Sequence, residues 1–328
     1  MKVFVTGATG FIGENTVKRL VESGHECICL VRRTSKKDAL EKIGCQFVNG
    51  DITDRKSLTK GMQGCDAVIN LANLYSLWEP DVSLYEKINI DGTRNVMESA
   101  LASGIKKIVH VSSIVIWGRT SDVPFSEESP IGEHTTEYAR TKYEGDKVAW
   151  DLYKRKGLPL LMIYPCAVLG PDDPKSTGDY IRRIIEKKMP IRAMESATMT
   201  WVHVKDVAES IVRALEKDGN IGEGYIIGKE QRSFGWLNKA VSEISGVPLP
   251  FLSIPNAMVK FNAFFLTMMA NITKRHPAWG LSKDSVSNVL TGFRADGSKA
   301  ERELGISYTP VRKAIEECVE SFRSKPNS

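Results

Sequence analysis

Residues 6–13 read "TGATGFIG", directly after a short apolar run, "KVFVT" (2–6), and at the opening of an amphipathic helical pattern over 13–23. A glycine turn in that place suits a dinucleotide. One glycine permits the tight turn, a second lets the backbone approach a pyrophosphate, and a third lets the helix pack on the strand. The pyrophosphate then sits at the helix N-terminus, where unpaired N–H groups and the helix dipole favour an anion. Gly7, Gly10 and Gly13 can supply these three functions, and Thr9, Phe11 and Ile12 share the same turn as candidate cofactor contacts.

Outward from that turn, apolar runs alternate with helical stretches such as 13–23 and 83–102. The runs are "ECICLV" (26–31), "CQFVN" (45–49), "AVINLA" (67–72), "KIVHVS" (107–112) and "LPLLMIY" (158–164). Strands buried on both faces read as such continuous runs, and alternation with helices implies right-handed crossovers into a parallel sheet. The expected fold class is α/β, a doubly wound parallel sheet. After about residue 170 the pattern loosens at Pro171, Pro174 and Gly178, and a helix-like "DYIRRIIEKK" follows. The segment "TWVHVKDVAESIVRALEK" (200–217) returns to strand, turn and helix, "GYIIG" (224–228) reads as a strand, and the rest is helix-rich. These shifts predict a nucleotide-binding domain over 1–169 plus 200–229. A smaller helix-rich substrate domain would take 170–199 plus 230–328.

The 328 residues are 42% hydrophobic and 26% charged, with a net charge of +5 spread in small pairs, so a nucleic-acid stripe is not expected. The most apolar segment, 256–272, is interrupted by Lys260 and three asparagines and falls short of the roughly 18 uncharged residues that span a bilayer. Stable membrane insertion is not expected, nor is a cleavable signal, since Met1 leads at once into a strand. Cysteines at 27, 29, 45, 65, 166 and 318 form no C-x-x-C, which predicts reduced thiols, a cytoplasmic location and no structural metal. Cys27 and Cys29 alternate along a strand and are expected to pack on one face.

Residues 137–147, "EYARTKYEGDK", hold a tyrosine four residues before a lysine twice, as Tyr138/Lys142 and Tyr143/Lys147; Tyr225/Lys229 repeats the spacing at a strand end. Hydride exchange at a carbonyl needs a matched proton transfer at the oxygen. A tyrosine, with a reference pKa near 10, is helped by a nearby cation that favours the phenolate. A lysine one turn along the helix meets that need. Five residues of helix is about 140° of rotation, so the two adjacent pairs cannot share a face. A hydroxyl to polarise the carbonyl is available in "HVSSIVIWG", at Ser112 or Ser113. At the end of the second strand, where an NAD site usually carries an acid, the sequence reads "LVRRTS". Val31 takes the acid's place and Arg32 and Arg33 follow, offering paired donors to a ribose 2′-phosphate. NADP(H) is therefore the expected cofactor, with NAD(H) possible.

With "TGATGFIG", "VRR", "SSIVIWG", "YARTK" and "YPCAVLGP" in view, the chain resembles the extended short-chain dehydrogenase/reductase superfamily, of NAD(P)-dependent epimerase/dehydratase type. Its look is that of the branch around dihydroflavonol reductase, cinnamoyl-CoA reductase and hydroxysteroid dehydrogenases. The resemblance covers about 1–230 and returns in "GSKAERELGISYTPVRKAIEECV". It implies a Rossmann fold and selects Tyr138-x-x-Thr141-Lys142-x-x-x-Asp146, with Ser113 as the hydroxyl because it precedes Gly118 by five residues. It places Asp51 and Ile52 at the adenine, and Ala72, Pro165 and Val168 beside the cofactor. Asn89 would lie behind the site, and a homodimer through 83–102 and 138–155 is implied.

Ser113 is followed by Ile114 and Val115, not the acidic pair of sugar-nucleotide dehydratases, and "TMTWVHVKDVA" has Met199 and Thr200 where epimerases often carry arginine. The expectation is thus an oxidoreductase acting on a small hydrophobic or aromatic ketone or aldehyde. A nucleotide-sugar epimerase with retained NAD(P) and a non-catalytic NADP-binding sensor are the alternatives. Asn73, Tyr75, Trp78, Trp117, Tyr164 and Trp201 are the candidate substrate contacts. The helix 256–272, with Met258, Phe261, Phe264, Phe265, Met268 and Met269, is expected to cover an apolar substrate or to touch a membrane surface.

Overall fold

The computed structural model describes residues 1–118, 123–174 and 176–324. In chain order its strands are β1 (Lys2–Thr6), β2 (Glu26–Val31), β3 (Gln46–Asn49), β4 (Ala67–Asn70), β5 (Lys107–Val111), β6 (Leu160–Pro165), β7 (Ala167–Leu169), β8 (Thr198–His203), β9 (Gly224–Ile227) and β10 (Glu230–Ser233). Seven of them form one sheet in the order β3-β2-β1-β4-β5-β6-β9, parallel throughout. The continuous apolar runs are its middle: Val3–Val5, Ala67–Ile69 and Leu160–Ile163 are buried on both faces. Helices Phe11–Glu22 and Val204–Glu216 pack on each other, as do Arg55–Met62, Thr93–Ala102 and Glu137–Lys156 in a second layer. This is the doubly wound Rossmann-like architecture that the sequence predicts. The strand order reverses between β1 and β4, and such a switch point opens a crevice at the carboxyl ends of the strands.

Two local departures from the expected elements have physical causes. "AVINLA" leaves the ladder after Asn70 because Leu71 and Ala72 swing against the glycine turn; a Cβ on Gly7 would stand 2.6 Å from the Leu71 carbonyl carbon. The expected helix over 83–102 is instead Ser83–Tyr85, a π-helical segment Glu86–Gly92, and Thr93–Ala102. Gly145 of the Glu137–Lys156 helix lies so close to that π segment that a Cβ there would be 2.3 Å from the Asn89 carbonyl oxygen. Insertions of this kind are stabilised by tertiary packing, which periodicity does not report.

A second sheet has the order β10-β8-β7. Asp206, in "HVKD", accepts hydrogen bonds from the Thr309 N–H (2.7 Å) and hydroxyl (2.9 Å) and so ties the turn before the last helix, Val311–Ser324, to the Val204–Glu216 helix. Tyr225 is fully buried in β9 and Lys229 pairs with Glu301, so the third Tyr/Lys spacing is structural. Cys27 and Cys29 are buried, and burial pushes the Cys27 thiol up to about 12. Among the described residues no helix is long and apolar enough to cross a membrane, and no cluster of three His, Cys, Asp or Glu side chains could hold a metal ion.

Candidate active site

The glycine turn is shaped by close backbone approach. Gly7 has φ +70° and faces Leu71 and Ala72, so a side chain there is excluded twice over. At Gly13 a Cβ would come within 2.1 Å of the Gly7 carbonyl oxygen. Gly10 is the N-cap of Phe11–Glu22 and provides no side-chain cap, leaving the first-turn N–H groups unclaimed by side chains. Thr9, Phe11 and Ile12 are half-buried around it, with the Phe11 ring beside the position that a Cβ on Gly170 would take, at 3.4 Å.

Arg32 and Arg33 are exposed just past β2, and neither forms an ion pair with a described residue. One oxygen of Asp51 accepts from the Thr53 N–H and hydroxyl, each at 2.9 Å. The Ile52 side chain is buried against Gly92. The Ala72 N–H donates to the Thr6 hydroxyl at 3.2 Å, Pro165 is buried at the end of β6, and Val168 is half-buried in β7. This edge suits a dinucleotide: no side chain fills the glycine turn, a helix N-terminus faces it, and two exposed guanidinium groups lie just past β2.

Tyr138 and Lys142 are 6% and 3% exposed, on the face of Glu137–Lys156 that packs against the end of β5. Tyr138 lies near Ser113 and meets the Tyr75 ring edge-on at 5.3 Å. Ser113 caps the short helix Ile114–Trp117, accepting from the Val115 N–H at 3.4 Å. The Lys142 ammonium donates to the Val111 carbonyl at 3.3 Å. Burial, with Tyr75 adding to it, pushes the Tyr138 phenol up, against the pull of the nearby Ser113 hydroxyl. Burial pushes Lys142 down, with Asp146 opposing. Burial therefore dominates at both groups.

Behind this pair lies a buried polar network that sequence reasoning missed. Thr6, Asn70 and His110 occupy the same register on neighbouring strands β1, β4 and β5. The Thr6 hydroxyl donates to Asn70 Oδ1 (2.5 Å), and Asn70 Nδ2 donates to His110 Nδ1 (2.9 Å). That leaves the proton on His110 Nε2, which stands 3.4 Å from Asp146 Oδ1. The contact is long, and Oδ1 has no other partner. Ser112 donates to the second oxygen, Oδ2, at 2.6 Å. Burial pushes His110 below its usual value, against Asp146, so the ring is neutral at pH 7. The available signal was a polar residue inside each of two strands buried on both faces, since such a group requires a partner. Asn89 is a second buried brace: it accepts from the Leu74 N–H (2.8 Å) and donates to Thr141 (3.1 Å), joining the loop after β4 to the Tyr138 helix.

The candidate substrate residues do not assemble as one wall. Tyr75, 40% exposed, lies next to Tyr138, and half-buried Asn73 donates to the Leu71 carbonyl. Trp78 is buried with its indole N–H on Asn271. The remaining three are buried aromatics. Trp117 stacks on Phe125 with its N–H on Ser129, Tyr164 packs edge-on to Trp117, and Trp201 bonds the Arg232 carbonyl. Nor do the expected covering side chains of the helix Asn256–Thr273 turn inward: Met258, Phe261, Phe264, Phe265, Met268 and Met269 are all exposed.

Comparison with known proteins identifies the chain's relatives. The chain is 30% identical to "Putative dihydroflavonol 4-reductase" of Synechocystis over 98% of its length and 94% of the relative's. It is 29% identical to "Sterol demethylase protein B" of Methylococcus capsulatus over 99% of each. The crystal structure of gox2253 superposes with a TM-score of 0.84 at 32% identity, covering 98% of each chain. A family model matches residues 3–228, and the protein belongs to the NAD dependent epimerase/dehydratase family.

Proposed function

We propose that the chain is an NADP(H)-dependent reductase of a hydrophobic or aromatic ketone or aldehyde. The observation that carries this is the buried Tyr138/Lys142 pair near Ser113 at the end of β5, where the next residues are the buried Ile114 and Val115. A proton donor and an orienting hydroxyl are present without the acidic pair that water loss would need. The names of the Synechocystis and Methylococcus relatives, a reductase and a sterol-processing protein, point the same way. Epimerisation of a nucleotide sugar has less support: Met199 and Thr200 are buried in β8, and Thr200 is hydrogen-bonded on both sides to Ala295, so no guanidinium is presented there.

In this proposal Gly7, Gly10 and Gly13, with Thr9, Phe11 and Ile12, hold the pyrophosphate, and Arg32 and Arg33 hold the 2′-phosphate. Asp51 and Ile52 border the adenine, and Ala72, Pro165 and Val168 flank the nicotinamide. When bound, the reduced cofactor supplies the hydride. Tyr138 gives its phenolic proton to the substrate oxygen, and Ser113 holds that oxygen by a second hydrogen bond. Lys142 balances the charge left on the phenol, and Asp146 with His110 holds Lys142 in place. Tyr75 and Asn73 border the substrate, the segments 170–199 and 230–328 form its domain, and two chains associate through 83–102 and 138–155. The test uses NADPH deuterated at the transferring position with a panel of aromatic and steroidal carbonyls. Deuterium in a product alcohol supports reduction; interconversion of UDP-sugars without net cofactor oxidation would establish the epimerase instead.

A further inference from the structure

The helix Asn256–Thr273 has two apolar faces, and the protein covers only one. Val259, Ala263 and Ala270 are buried, the first two in a cluster with Val286, Ile254 and Leu281. Met258, Phe261, Phe264, Phe265, Met268, Met269 and Ile272 are between 41% and 70% exposed. At 3.6 residues per turn these seven fill an arc of about 140°, centred roughly opposite the buried stripe. The chain entering the helix adds Phe251, fully exposed, and Leu252; the chain leaving it adds Trp279. Single exposed apolar residues are ordinary, but a continuous patch of this kind marks a contact.

The charge pattern indicates which contact. Residues 244–283 contain Lys260, Lys274, Arg275 and Lys283 and no aspartate or glutamate. All four cations are exposed, Lys260 within the helix and the others beyond its C-terminal end, where Lys274 also donates to the Pro80 carbonyl. In a two-fold contact with a second copy the same patch meets itself, bringing cation to cation, with Asp81 near Lys274 only a partial offset. An anionic lipid surface complements both features, taking the apolar side chains below its headgroups and the cations among them.

We propose that the outward face of Asn256–Thr273 docks in the plane of an anionic membrane surface, without spanning it. The docked helix is tied to the loop beside Tyr138: Asn271 accepts the Trp78 indole N–H at 2.9 Å, and Ser282 donates to the Leu77 carbonyl at 2.7 Å. The proposal stands apart from the reductase assignment and does not depend on turnover.

The test is flotation of the full chain with vesicles of phosphatidylcholine alone or mixed with phosphatidylglycerol, at low and high salt. Circular dichroism and NADPH binding serve as folding controls. Binding is expected only to the mixed vesicles and weakens as salt rises. Phe261→Asp with Phe265→Asp lowers it at least about tenfold by removing apolar insertion. Lys260→Gln with Arg275→Gln lowers it by about tenfold through lost attraction to the headgroups. Absence of flotation, equal flotation with either vesicle, or self-association abolished by Phe261→Asp without flotation would each overturn the proposal.

Discussion

One helix, Glu137–Lys156, carries the same Tyr-x-x-x-Lys spacing on two faces, with opposite results. Tyr138 and Lys142 are buried against the end of β5, next to Ser113 and Asp146. Tyr143 packs on the His134 ring at 4.8 Å, and Lys147, its side chain 53% exposed, pairs with Glu144. The difference lies in what stands behind each pair. Strands β1, β4 and β5 bring Thr6, Asn70 and His110 into one row that ends at Asp146, and nothing comparable among the described residues backs Tyr143 and Lys147. Spacing makes a Tyr/Lys pair possible, and burial, with Asp146 acting on Lys142, sets this one apart.

The comparison can be broken first at its acids. Asp146 is the only acid among the influences on buried Lys142, whereas Asp151 is exposed. Asp146→Asn leaves an uncompensated buried ammonium and costs about 3–5 kcal/mol of unfolding free energy. Asp151→Asn changes stability by less than about 0.5 kcal/mol. Urea denaturation of the two variants measures both; equal, small losses would mean that the network is ornamental. Next in size is the cofactor edge. Arg32→Asp is expected to weaken NADPH about 100-fold and NADH far less, because a carboxylate repels the 2′-phosphate that a guanidinium would bind. Fluorescence titration with both cofactors decides it, and equal loss of the two would remove the 2′-phosphate assignment.

The smallest expected effect is a pH slope. His110 has a folded pKa below its ordinary 6.5, so its neutral form stabilises the fold fully above that value. Stability is lost as pH falls below 6.5 towards the depressed folded value, by up to about 1.4 kcal/mol per pH unit. His110→Gln is expected to flatten this limb in denaturation measured from pH 7 to 5, whatever it does to stability at pH 7. An unchanged slope would show that the histidine is not held neutral.

Much of this was legible in the sequence because the relevant physics is local. The strand runs, the glycine turn and the different faces of the two Tyr/Lys pairs follow from periodicity and backbone sterics. Residues joined only by sheet register were not legible: no local pattern reveals that Asn70 lies beside His110, or that His110 lies beside Asp146. The burial of the aromatic residues was hidden for the same reason. Trp117, Tyr164 and Trp201 have the composition of a pocket wall, and each instead fills the core. The Asn256–Thr273 helix reads as apolar in any window, and only the fold shows that one of its two faces is left outward.

The central claim, that the Tyr138 face of this helix moves the proton, is tested most directly by measuring NADPH oxidation with one accepted carbonyl in Tyr138→Phe and Tyr143→Phe side by side, with NADPH affinity determined in parallel. Tyr138→Phe is expected to lower kcat about 10³-fold with affinity changed by less than about twofold, while Tyr143→Phe keeps full turnover. Substantial turnover by Tyr138→Phe, or its loss in Tyr143→Phe, would contradict the account.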